Sequence, residues 1–251
     1  MSDKNSFTSH FIELRARLIK SITFILVIFI ISYTFADHIY SFLVNPYADA
    51  VKDDPTQRRL IFTALHETFI TYLKVVFFSA FFLGSPVLLI QIYKFIAPGL
   101  YKNEKKALLP YLIFTPILFL VGGMLVYYLV MPLAIKFFLS FETMGSNTSL
   151  PIQLEAKVNE YLSLIMRLIF AFGISFQLPI LLNLLARIGV VNSEYLKKTR
   201  RYVVVIIFTL AAVLTPPDPI TQVGLAIPLL LLYELSIITV RFTEKKSNKK
   251  N

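Results

Sequence analysis

Two carboxylates and the cations around them are the first candidates for chemistry. In IAPGLYKNEKKALLP (96–110), Glu104 stands among Lys102, Lys105 and Lys106, between two apolar runs. In SHFIELRARLIK (9–20), Glu13 stands four residues before Arg17, with Arg15 between them. The bland account of Glu13 is an intrahelical pair with Arg17, worth a few tenths of a kcal/mol. That of Glu104 is neutralisation by its lysines. The alternative takes the two acids together, at the ends of different apolar runs, as a receptor for a basic, partly apolar peptide. Arginine suits such a receptor better than lysine, because its planar fork can bond a carboxylate through two donors.

Other chemistries are excluded or left without support. There is no cysteine, so disulfides, thiolate metal sites and cysteine nucleophiles are ruled out. His10, His38 and His66 are scattered outside the apolar runs, which leaves no histidine metal site and no cofactor expected. No nucleophile–base pair and no GxxxxGK[ST] phosphate loop occurs, so the chain reads as no enzyme, and any energy for transport comes from outside it.

The elements that position these residues follow from composition. The 251 residues are 56% hydrophobic and only 16% charged, with the charges clustered. A soluble chain would carry about 25% charge, so the pattern is that of an all-α polytopic membrane protein. Charge-free intervals (21–36, 75–93, 107–135, 168–186, 202–217 and 219–233) mark six spans, placed at about residues 19–36, 69–93, 107–135, 160–186, 202–216 and 219–240, in one membrane domain covering 1–251. The first has no small-residue cleavage site after it and reads as retained. Phe11, Leu14 and Leu18 share one face of an interfacial helix that leads into it.

Positive charge gathers on one side. Lys4, Arg15, Arg17 and Lys20 precede the first span; Lys94, Lys102, Lys105 and Lys106 lie between the second and third. Arg187, Lys197, Lys198, Arg200 and Arg201 lie between the fourth and fifth, and the tail is lysine-rich. The positive-inside rule puts both termini in the cytoplasm. The net charge of +10 is thus mostly a topology signal, and no nucleic acid is expected. The opposite side carries the longer connections, 37–67 with KDDPTQRR (52–59) and 137–160 with GSNTSLP (145–151), the latter followed by a possible short amphipathic segment.

TPPDP (215–219) forces a tight turn between the last two spans. About 16 residues reach roughly 24 Å against a core of about 30 Å, so either the bilayer thins here or both helices run on into the interface. Pro86, Pro116, Pro132, Pro179 and Pro228 lie inside spans and imply a bundle of bent helices. Within the membrane, Gln177 needs either an internal hydrogen bond or a partner helix. Arg167 is expected to snorkel outward. Thr215 and Gln222 could dock a polar group on another subunit, whereas Glu234 lies where interfacial water can solvate it.

HFIELRARL (10–18), FIAPGLYKNEKK (95–106), AFGISFQLP (171–179), LTPPDPITQ (214–222) and the six-span layout together resemble the TatC family over nearly the whole chain. That family is the multispanning subunit of the twin-arginine, Sec-independent, protein translocase. The resemblance implies a concave, glove-like bundle with short fifth and sixth helices. It implies a receptor that, with TatA- and TatB-type single-span subunits, exports folded proteins using the proton-motive force, in a multimeric complex in the bacterial inner membrane or an organelle membrane. It implies twin-arginine signal-peptide binding at the positions of Glu13, Arg15, Arg17, Phe95 and Glu104. Partner-helix contacts are implied at Gln177, Thr215 and Gln222, and sensitive outer loops at Pro46 and Asp218. Where many relatives carry a glutamate, this chain has Gln177, which bonds but cannot ionise. The competing readings are a small-solute secondary transporter, which lacks a repeat and a central charged site, and an intramembrane enzyme, which lacks an embedded histidine or aspartate.

Overall fold

The computed structural model describes residues 2–52, 58–96, 105–143, 150–215 and 218–248. Its helices are α1 (Ser2–Thr34), α2 (Ala36–Ala50), α3 (Glu67–Ile96), α4 (Lys105–Leu125) and α5 (Met131–Leu139). They continue with α6 (Val158–Ser175), α7 (Leu178–Arg187), α8 (Ser193–Leu214) and α9 (Pro219–Asn248). Among the described residues the only extended pairings are two single bridges, Ile61 with Lys157 and Thr143 with Ile152.

Four helical runs among the described residues are long and apolar enough to cross a membrane: Glu67–Phe95, Pro110–Leu139, Val158–Arg187 and Thr221–Lys245. A fifth is the pair α1–α2, which bends by 81° at Phe35. The remaining helix, α8, carries Lys197, Lys198, Arg200 and Arg201 in its first turns, so its apolar stretch is confined to Tyr202–Leu214. The connection 37–67 proves to hold a 15-residue helix, α2, with an apolar face that buries Leu43, Pro46 and Tyr47.

Cross-helix contacts fix the directions. Arg17 meets Gln91, and Ser32 meets Ser79 at 3.2 Å, so α1 and α3 run antiparallel. Lys74 reaches Asn159 and Phe81 meets Phe170, so α3 and α6 run parallel. Ser193 meets Glu244 and Phe208 meets Gln222, so α8 and α9 run antiparallel and α9 ends at the level where α7 hands over to α8. Both termini therefore lie at one end of the bundle, the near end. Loops 58–66 and 150–157 lie at the far end.

The core runs from Leu43 and Tyr47 through Met131, Leu162 and Phe172 to Leu225 and Leu229. At α4 on α6 the contact is backbone to backbone. A methyl group at Gly122 would sit 2.7 Å from the Phe172 carbonyl oxygen, so only glycine lets the two backbones approach this closely.

The prolines bend helices whose freed carbonyls find other donors. Pro86 leaves the Phe82 carbonyl without its amide, and the Ser85 hydroxyl donates to it at 2.9 Å. Pro132 follows a wide turn at Val126–Val130, where the Met131 amide reaches back five residues to Val126. Pro46 leaves the Phe42 carbonyl open, and the Tyr127 hydroxyl donates to it at 2.7 Å while the two rings stack at 4.4 Å. Tyr161 likewise donates to the Leu43 carbonyl at 3.0 Å. Tyr127→Phe should therefore loosen α2 by about 1 kcal/mol, and far less in a Pro46→Ala background, where an amide bonds Phe42 again. Additive losses in the double-mutant cycle, read by thermal unfolding in detergent, would sink this coupling.

Candidate functional site

At the near end, i to i+4 spacing puts Glu13 and Arg17 on one face of α1. Arg17 donates from Nε at 3.1 Å and from Nη2 at 2.5 Å, both to Oε1 of Glu13. Its Nη1 reaches Oε1 of Gln91 on α3 at 3.3 Å. The guanidinium thus fixes the carboxylate and ties it to the second helix. The side chains are 24% and 36% exposed for Arg17 and Glu13, half-sheltered groups that still face outward. Such a pair adds about 0.2–1 kcal/mol to stability, so its orienting effect matters more than its energy.

Phe95, one turn beyond Gln91 on α3, is half-buried, and Arg15 is exposed on α1. Glu104 and Lys102 lie outside the described residues, as does all of 97–104. The structure thus joins Glu13 to Arg17 and adds Gln91, which the sequence reading missed. An amide one turn before an interfacial Lys94–Phe95 pair was the available signal.

The same end is braced elsewhere. Arg187 on α7 donates to the Tyr111 hydroxyl at 3.0 Å and lies 5.3 Å from the ring centroid. Glu244 on α9 accepts from the Ser193 amide and hydroxyl at 2.7 and 2.6 Å, tying α9 to the first residue of α8, whose N-cap is Asn192. Glu234 pairs with Arg200 at 2.7 Å, a specific partner where the sequence reading assigned only water.

Gln177 sits at the break between α6 and α7, which Pro179 imposes in the first turn of α7. It is buried, and its Nε2 donates to the Thr115 carbonyl of α4 at 3.1 Å. The amide oxygen has no hydrogen-bond partner among the described residues. A buried acceptor left so is costly, and it offers a place for a donor.

Thr215, Asp218 and Gln222 cluster at the far turn between α8 and α9. Asp218 is the N-cap of α9: Oδ1 accepts the Thr221 amide at 2.7 Å, and Oδ2 accepts the Thr221 hydroxyl. The Thr215 hydroxyl donates to its own helix at Ala211, 2.9 Å away, and Gln222 donates to the Phe208 carbonyl at 3.2 Å. Pro216 and Pro217 lie outside the described residues. Gln177 bonds α4 while Thr215 and Gln222 bond α8, so hydrogen bonding does not gather the three into one cluster. Pro46 sits apart, on the buried face of α2.

A second far-end feature was not anticipated. Arg58 and Glu142 form a sheltered ion pair, their side chains 10% and 16% exposed, and Glu142 also accepts the Leu154 amide at 2.6 Å. Lone charges in polar loops gave no sign of this pairing.

A cavity of about 400 Å³ opens between α2, α3 and α4. Its lining is aliphatic and aromatic apart from His38 and Ser79, and Ser79 is already bonded to Ser32. That lining offers little to hold a polar solute.

Comparison with known proteins gives one consistent result. A family model described as "Sec-independent protein translocase protein (TatC)" matches residues 9–228. A TatC from Magnetococcus marinus is 48% identical over 246 residues, covering 98% of this chain and 88% of the relative. One from Rickettsia prowazekii is 48% identical, covering 95% and 94%. The Escherichia coli K12 protein is 36% identical, covering 96% and 90%. Among solved structures, a crystal structure of the twin-arginine translocase receptor TatC superposes with a TM-score of 0.78 at 36% identity, covering 94% of this chain and 99% of that one.

Proposed function

The chain belongs to the TatC family of Sec-independent protein translocase proteins, and from that membership we propose that its near end docks the twin-arginine signal peptides of folded cargo. The chain is a membrane protein and the core multispanning subunit of that translocase; the small-solute transporter reading finds no support. The observation that carries the docking proposal is the Glu13–Arg17–Gln91 junction, a carboxylate held in place by an arginine at the seam of two spans.

An arginine in the peptide exchanges with Arg17 for Glu13, while Arg17 keeps Gln91. Glu104 takes the second arginine, and Arg15 and Phe95 border the site, Phe95 against apolar residues of the peptide. The near end, by this reading, faces the cytoplasm of a bacterial inner membrane, as its density of lysine and arginine supports.

Translocase membership entails further subunits, and we assign TatA- and TatB-type single-span helices, in a multimeric receptor driven by the proton-motive force. Their polar groups meet Gln177, Thr215 and Gln222. At Gln177 the unsatisfied oxygen favours a donor on the partner, since its Nε2 is already committed to Thr115. Pro46 and Asp218 act on function through the far end they shape.

Photocrosslinkers placed at positions 13 and 104 should capture a peptide bearing Arg-Arg and lose most of the signal with Lys-Lys. Glu13→Ala should weaken peptide binding by about 1 kcal/mol, roughly fivefold, a charge-assisted contact reduced by partial exposure. Equal capture of both peptides, with binding unchanged in Glu13→Ala, would return Glu13 to a brace for α1 and α3.

A further inference from the structure

The faces of α3 and α6 that meet near the far end make a seam, here called the groove, that is polar above and aromatic below. On α6, Asn159, Ser163 and Arg167 follow at i, i+4 and i+8, one stripe down the helix. Lys74 on α3 donates to Asn159 Oδ1 at 2.8 Å, and the Ser163 hydroxyl lies 3.5 Å from the same oxygen. Beneath them the stripe continues to Phe170, whose ring meets Phe81 of α3 at 6.5 Å, and Phe77 is 57% exposed just below Lys74.

Arg167 is the group that needs explaining. It lies eight residues into α6 from Asn159, about 12 Å along the helix from the far-end surface. It is exposed, and among the described residues it has no hydrogen bond or ion pair. An arginine facing lipid at that depth is costly unless an anion or water reaches it. The nearest acid along the helix, Glu160, is paired with Lys157 at 3.7 Å. Two cations with an amide and a hydroxyl between them, and no carboxylate of their own, suit a phosphate.

We propose that this groove binds one phospholipid of the far-end leaflet, its phosphate held by Lys74 and Arg167 and one acyl chain lying over Phe77, Phe81 and Phe170. Charge complementarity calls for an anion. The order of the groove, cations toward the membrane surface and rings toward the midplane, matches an amphiphile in its bilayer orientation. Bound there, the lipid supplies the counter-charge for Arg167 and lines the α3–α6 seam, apart from the peptide site at the other end.

The test is native mass spectrometry of the purified full chain with added phosphatidylglycerol. Wild type should retain one lipid with about tenfold or more higher affinity than Arg167→Leu, the scale of a lost charge-assisted contact. Lys74→Leu should fall between them, and Arg167→Lys should recover part of the loss. Arg241→Leu, at the near end, should match wild type. Diacylglycerol should not be retained, and excess inorganic phosphate should not displace the lipid. Equal retention by wild type and Arg167→Leu overturns the proposal, as does displacement by inorganic phosphate. A crosslinker at position 167 that captures a partner helix while the lipid count stays unchanged would assign the arginine to a protein acid instead.

Discussion

Gly122→Leu should be the most damaging single substitution in the bundle, lowering stability by about 3 kcal/mol or more. Overpacking a good core typically costs about 1–3 kcal/mol, because neighbouring side chains can turn aside. At Gly122 the obstruction is backbone: a Cβ would meet the Phe172 carbonyl oxygen at 2.7 Å and its carbon at 2.9 Å. Relief requires α4 and α6 to separate, which also strains the contact of Gln177 with the Thr115 carbonyl. Gly123 is an internal control. Its nearest neighbour is the edge of the Phe82 ring at 2.8 Å, a side chain beside an open cavity, so Gly123→Ala should be much milder. Thermal unfolding in detergent should show a large drop for Gly122→Leu, a smaller one for Gly122→Ala and little for Gly123→Ala. Equal effects at the two glycines would mean that the backbone approach is not what holds α4 to α6.

Glu142→Ala should rank second, costing about 3 kcal/mol at the far end. It removes the partner of a sheltered arginine and leaves the Leu154 amide without its acceptor. Breaking one side of a buried pair costs about 3–5 kcal/mol, and the lower figure applies because both groups keep some exposure. Glu142 joins loop 58–66 to loop 150–157, and the Ile61 amide adds a bond to the Ala156 carbonyl at 3.1 Å. Loss of the pair should therefore raise proteolysis of both loops together. Arg58→Leu in the Glu142→Leu background should recover much of the stability, since an apolar pair strands no charge. Localised cleavage in one loop alone, or no recovery in the double variant, would contradict a shared clamp.

Neither of these sites could be picked out along the chain. Gly122 and Gly123 are adjacent and look alike, and only the position of α6 decides which one faces backbone. Arg58 and Glu142 are far apart in sequence, in loops whose composition says no more than polar. The same holds for the prolines. Pro86 announces a freed carbonyl, but that Ser85 serves it depends on which groups lie near; Pro46 reads as a loop residue, and only the structure puts it inside α2, where Tyr127 meets the Phe42 carbonyl. Asp218 shows the opposite case, since an aspartate three residues before Thr221 at a helix start is readable as a cap from spacing alone.

By itself the sequence determined the all-α membrane class, the clustering of positive charge on one set of connections, the Glu13–Arg17 spacing and the motifs that resemble TatC. All of these are local or compositional, because a bilayer demands long apolar helices and a helix turn brings i and i+4 together whatever surrounds them. Only the tertiary structure decided that Gln91 completes the Glu13–Arg17 junction, that Gln177 spends its amide nitrogen on α4 and leaves its oxygen unmet among the described residues, and that Lys74 crosses to Asn159 at the head of the stripe that carries Arg167. Each of these depends on the rotation and depth of one helix against another. Side-chain packing at the seams sets them, and no window of sequence contains both sides of a seam.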